Sequence, residues 1–174
     1  MSAASGGEAT PAGTLGDVAE ASNGSLNSAD LVKALGFRLH HVGVATQKLD
    51  ATAKLLEGLF GYRTIAGPFA DPIQRVSVSF LTMSDEDRVE VELVEPLAED
   101  SPVRSILQKG GGTAYHLCLE TADLEGALAH AKGLGCMLVS PPAPAVAFGG
   151  RRIAWMYTPT RQLIELVETA APTS

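Results

Sequence analysis

The chain is written twice, and that repeat constrains its fold more than any other feature. The stretch from His41 to Ile65, HVGVATQKLDATAKLLEGLFGYRTI, and the stretch from His116 to Val139, HLCLETADLEGALAHAKGLGCMLV, follow one plan. His41 falls on His116, 75 positions later. Leu49 falls on Leu124, Asp50 on Glu125, and one gap brings Gly61 onto Gly135. Each copy opens as a strand, turns, continues with apolar residues at helical spacing, and ends at a glycine before a second extended run. The spacing predicts one helix over about Leu49–Phe60, with Ala53, Leu56 and Phe60 on one face. It predicts another over about Leu124–Leu134, with Leu124, Leu128 and Ala131 together. The later strands repeat too: VELVEP (Val91–Pro96) matches IELVET (Ile164–Thr169), setting Glu92 against Glu165. The stretches MSDED and FGGRR fit hairpin turns within each copy.

A self-similarity of this period marks one supersecondary unit built twice. The unit reads βαβββ, and the expected fold class is α+β: two tandem βαβββ modules forming a curved mixed sheet. The modules span 38–97 and 113–168 within a single domain over 37–170, joined by SPVRSILQKGGG, a short helix and a glycine linker. Residues 1–36 are expected to form a flexible tail with a short helix near its end. Up to residue 28 this segment is rich in Ala, Ser, Gly and Thr and nearly free of large apolar residues, so burial cannot offset its ordering entropy. The helix is SADLVKALGF, capped by Ser28 or Asp30 and stopped near Gly36.

Composition excludes several classes of function. At 174 residues and 45% hydrophobic the chain can bury one real core. Thirteen basic residues against 20 acidic give a net charge of −7, with no basic stripe, which argues against nucleic acid as a partner. No apolar stretch approaches membrane-spanning length, and no basic segment followed by an apolar run opens the chain. Two cysteines, Cys118 and Cys136, are too few for a disulfide scaffold; the expectation is a protein of the reducing cytoplasm.

Strand alternation then sorts the polar residues. His41, Gly43 and Ala45 share one face of the first strand, opposite His40, Val42 and Val44. His116, Cys118 and Glu120 share one face of its counterpart, opposite Tyr115, Leu117 and Leu119. The branched apolar set belongs against the helices, so His41 and His116 look onto the concave face. Gly43 and Ala45, small and beside His41, read as room left for a substrate. Glu92 and Glu165 fall between apolar strand residues, where a carboxylate is costly to bury unless paired or bound to a cation. Two imidazoles and two carboxylates, symmetrically disposed, suit a divalent transition metal with open positions.

On these motifs the chain resembles the vicinal oxygen chelate, or glyoxalase-fold, superfamily, and within it the methylmalonyl-CoA epimerases. The likeness is carried by HHVGVA with KLDATAKLLEGLFGY, VELVEPLAEDSPVRSILQKGGG, YHLCLETADLEGALAHAKGLG, FGGRRIAWM and LIELVE, and covers about 38–168. The resemblance implies metal ligation by His41, Glu92, His116 and Glu165, with one ion of Co, Mn, Ni, Zn or Fe. It also implies a homodimer. The implied chemistry is α-proton abstraction from a metal-chelated acyl thioester to an enolate, followed by reprotonation, with Glu165 and Glu92 as candidate bases. The carrier would be coenzyme A or another thioester carrier.

Two places depart from the family. Ser77, Val78 and Ser79 stand where some epimerases carry a further glutamate, and Tyr157 stands where a histidine is usual. Arg151 and Arg152 read either as contacts to an anionic substrate or as an ordinary basic turn. Gln74 and Arg75 are candidates for the mouth of the cavity, and Ser77 for contact with the substrate. Cys118 either lines the pocket beside His116 or packs as a small core thiol. The alternatives are a glyoxalase-I-like lyase on a hemithioacetal, an enzyme of a specialised-metabolite pathway, and a metal-free small-molecule (antibiotic) binding protein.

Overall fold

The computed structural model describes residues 28–170, so the expected mobility of the segment before Ser28 lies outside the described residues. The chain runs α1 (Ser28–Leu35), β1 (Arg38–Ala45), α2 (Leu49–Phe60), β2 (Arg63–Asp71), β3 (Val76–Thr82), β4 (Glu90–Pro96), α3 (Pro102–Gly110), β5 (Thr113–Thr121), α4 (Leu124–Gly133), β6 (Met137–Pro144), β7 (Arg152–Tyr157) and β8 (Leu163–Glu168). The eight strands form one sheet in the order β2-β3-β4-β1-β5-β8-β7-β6. Each half of that order is one βαβββ module, and the halves meet where β1 runs antiparallel to β5. Within each module the first strand lies parallel to the last, β1 to β4 and β5 to β8. The crossover this demands contains a helix and a hairpin.

The helices form where apolar spacing and end signals agree. Helix α2 keeps the predicted bounds and stops at Gly61, whose φ of 75° suits a residue without a side chain. The α2 N-terminus borrows its cap from another strand: Leu49 N–H donates to Glu95 at 2.9 Å. Helix α4 is capped by Asp123, which accepts from Gly126 N–H at 2.9 Å.

These helices divide the core in two. On the convex side, Leu49, Leu81 and Leu93 pack beneath α2 in the first module. Leu35, Leu124, Ala127, Ala131, Met156 and Leu166 pack with α1 and α4 in the second. On the concave side a third cluster, including Val78, Phe80, Val94, Phe148, Ile153 and Val167, lines the hollow of the curled sheet, and α3 adds Val103 and Leu107. Asp71 fastens the two rims across the hollow. It is 2% exposed, accepts from Ile73 N–H (2.8 Å) and Gln74 N–H (2.9 Å), and reaches Val146 N–H of the second module at 3.2 Å.

Candidate metal centre

The four central strands each deliver one polar side chain to the middle of the concave face. In one row of the register Glu92 of β4 pairs with Gly43, and Gly43 with His116 of β5. In the neighbouring row His41 of β1 pairs with Cys118, and Cys118 with Glu165 of β8. Gly43 and Cys118 are equivalent in the repeat, so the internal symmetry carries one row onto the other. His41, Glu92, His116 and Glu165 are all buried, and their ligand atoms lie within 4.8 Å of one another.

This convergence fits a metal ion. The two Nε2 atoms stand 3.0 Å apart. His41 Nε2 is 3.3 Å from Oε2 of both Glu92 and Glu165, and His116 Nε2 is 3.5 Å from each. Bonds of the usual 2.0–2.1 Å separate neighbouring ligands by about 2.9 Å at right angles and about 3.4 Å at tetrahedral angles. The observed edges of 3.0–3.5 Å lie within about 0.1 Å of that range. Four ligand atoms converging on one buried point suit a cation between them, and none of the contacts to Glu165 Oε2 has the alignment of a full hydrogen bond. Without an ion a proton must substitute. Burial disfavours the charged imidazole of His41, but its bonds to Glu165 and Glu92 prevail and raise its pKa to about 9. Burial likewise pushes the Glu165 carboxyl up, yet His116 and His41 hold it well below the usual carboxylate range.

The two histidines are held differently. The His116 ring lies over Gly43, where an added Cβ would sit 1.8 Å from its Cε1. It is clasped edge-on by Tyr115 and Trp155, with centroids at 4.5 and 4.8 Å. The space at Gly43 therefore holds the His116 ring and is not room for substrate. His41 stacks on Phe148 and is gripped by a hydrogen bond, its Nδ1 lying 3.1 Å from His40 Nδ1.

That bond corrects the alternation reading. The β1–β5 register shifts between Leu39 and His41 and again between Gly43 and Val44, an extra residue in each strand: His40 in β1 and Tyr115 in β5. A bulge puts two successive side chains on one side. His40 and Tyr115 thus join the concave face, at equivalent places in the two modules. Burial and the neighbouring His41 lower the pKa of His40 to about 4, leaving a neutral ring able to accept from His41.

The glyoxalase/bleomycin resistance protein/dioxygenase family model matches residues 40–155, from the bulge of β1 into β7. The chain belongs to that superfamily. Among relatives, the ethylmalonyl-CoA/methylmalonyl-CoA epimerase of Cereibacter sphaeroides is 28% identical over 121 residues, 69% of this chain and 87% of the relative. Methylmalonyl-CoA epimerase from Mycobacterium tuberculosis superposes with a TM-score of 0.68 at 25% identity, covering 76% of this chain and 88% of that one. A variant of the Streptomyces coelicolor epimerase, in complex with 2-nitronate-propionyl-CoA, gives 0.66 at 29% identity over 77% of this chain and 98% of its own.

In this superfamily member the two glutamates of the quartet open onto a cavity of about 530 Å³, with the histidines buried beneath them. Glu92, Glu165, Tyr115 and Gln74 line it; Ser77, Cys118, Arg151 and Arg152 do not. Val76 and Val78 face the hollow, which turns Ser77 to the helix side of β3. Cys118 is fully buried between His41 and Glu165, and burial together with Glu165 pushes its thiol pKa well up. Arg151 lies over the Phe148 ring and is held by Glu120 at 3.0 Å and the Glu168 carbonyl at 2.8 Å. Arg152 is shared between Glu125 and Glu168. Both arginines are structural clamps here. Reading by alternation missed Tyr115, Trp155 and Phe148 as walls of the site, and Asp71 as its rim bond. Only Asp71 carried a local signal, the Asp-Pro turn dipeptide.

Proposed function

We propose that this chain is a divalent-metal-dependent epimerase of 2-substituted acyl thioesters carried on coenzyme A. The observation that carries the reading is the convergence of His41, Glu92, His116 and Glu165 on the floor of an apolar cavity. The epimerase relatives support it. His41 and His116 would hold the ion through Nε2, Glu92 and Glu165 through one carboxylate oxygen each, a donor set open to Co, Mn, Ni, Zn or Fe. Once bound, the ion supplies Lewis acidity that favours negative charge on the thioester oxygen as the α-proton leaves. Glu165, on β8, takes that proton; Glu92, across the cluster on β4, returns one from the other side, and the centre inverts.

The same reading treats 37–170 as one functional domain and the protein as a cytoplasmic homodimer. Cys118 and Cys136 are both free, as suits a reducing compartment. Leu134, just before the edge strand β6, and Met137, its first residue, are each 64% exposed and offer apolar surface for a partner. Among the described residues no helix is long and apolar enough to cross a membrane.

The test is exchange of the α-proton with deuterated water. Metal-loaded protein should exchange the proton of a 2-substituted acyl-CoA, and Glu165→Gln should abolish exchange. Undiminished exchange in the variant removes Glu165 from the reaction; no exchange by the loaded protein overturns the reading.

A further inference from the structure

The cavity above the quartet has a distinct electrostatic character. Its walls are aliphatic and aromatic, with Val76, Val78, Val103, Ile106, Phe148 and Ile153 prominent. Its charges are almost all negative: Asp71 at the rim, Glu92 and Glu165 on the floor. Among the described residues the one cationic side chain on its lining is Arg75, and Arg75 is bound to Asp100 at 2.7 Å in the exposed turn between β2 and β3. The arginines that might have turned inward are committed elsewhere, Arg151 to Glu120 and Arg152 to Glu125 and Glu168.

This distribution bears on what the acyl group can be. The two floor carboxylates already balance the charge of a divalent ion. A substrate bringing a third carboxylate to that ion would leave the buried centre one charge negative, with no second cation among the apolar walls to offset it, and such a net charge is costly. An uncharged second oxygen, a ketone for example, offers the same two-oxygen grip without that cost. The volume of about 530 Å³ leaves space for an apolar arm beyond it.

Building on the acyl-thioester reading above, we infer that the substrate is an uncharged 2-substituted 3-oxoacyl thioester with an apolar arm, not a malonyl-type acid. A single pair of ligands isolates the charge. 2-Methylacetoacetyl-CoA is methylmalonyl-CoA with the carboxylate replaced by an acetyl group of nearly the same size. Dissociation constants for both are measured by titration calorimetry on cobalt-loaded protein, with no turnover required. The uncharged thioester should bind at least ~10-fold tighter, and lengthening its ketone arm by three carbons should tighten binding further. Ile106→Arg, which puts a cation on the half-buried α3 wall, should move the preference toward methylmalonyl-CoA. If that variant does not fold, the wild-type comparison decides alone. Equal or tighter binding of methylmalonyl-CoA by the wild type overturns the inference and leaves the epimerase reading standing. Binding of neither thioester overturns both.

Discussion

The imidazole of His116 fills the space that a side chain at residue 43 would occupy. Gly43 and His116 are directly paired across β1 and β5, and the ring folds over the glycine to reach the quartet. One ligand of the proposed metal centre is thus placed by the absence of a side chain on its neighbour.

Gly43→Ala is therefore expected to abolish tight metal binding while leaving the sheet intact. The new methyl group meets His116 Cε1 at 1.8 Å, Nδ1 at 2.1 Å and Nε2 at 2.5 Å, so the ring must leave its position. Metal content after dialysis, read beside the circular dichroism spectrum, checks this. A variant retaining a full equivalent of metal would show that His116 is not held this way.

His40 should matter more than its absence from the quartet suggests. With Nε2 directed at an ion, His41 Nδ1 carries the ring proton and donates to His40. Loss of such an outer partner typically lowers metal affinity about 10–100-fold. His40→Ala should show that loss and His40→Asn, which keeps an acceptor, should recover part of it. Competition with a chromophoric chelator measures both.

Stability of the metal-free protein should depend on pH in a direction set by the two adjacent histidines. His41 has its pKa raised from 6.5 to about 9 in the fold, so its contribution is complete below pH 6.5 and is lost as pH climbs to 9. His40 is lowered from 6.5 to about 4, so the unfolded chain binds its proton more readily, and stability falls as pH drops from 6.5 to 4. The chelator-treated protein should be most stable near pH 6.5. It should lose up to roughly 3 kcal/mol by pH 9, a loss that metal removes by displacing the His41 proton. Urea titrations at the two pH values, with and without metal, give the comparison.

Asp71→Ala should destabilise the domain by about 1–3 kcal/mol, because the amides of Ile73, Gln74 and Val146 lose their acceptor together. Since one of the three lies in the other module, binding of acyl ligands should weaken more than the quartet's hold on metal. Equal loss of both would mean that the rim bond acts on the whole fold.

Much of this architecture was legible in the sequence because the chain repeats. Setting His41 on His116 and Glu92 on Glu165 gave both the module order and the four residues that the fold brings together, since a duplicated strand must place duplicated residues symmetrically. What alternation could not supply was the pair of bulges. A single extra residue in β1 and in β5 carries His40 and Tyr115 to the concave face, and neither strand contains a glycine or proline at that point to announce it. The partners of Arg151 and Arg152 were hidden for another reason. Glu120, Glu125 and Glu168 lie far from them along the chain, and only the completed sheet shows that these arginines are already paired.

The most direct test of the metal centre is a metal count on protein reconstituted with a divalent ion, with X-ray absorption used to identify the ligands. One ion per chain is expected, with two imidazoles in its coordination shell and loss of the ion in His116→Ala. Protein that binds no ion after reconstitution, or that keeps its ion in His116→Ala, would contradict the assignment of this quartet.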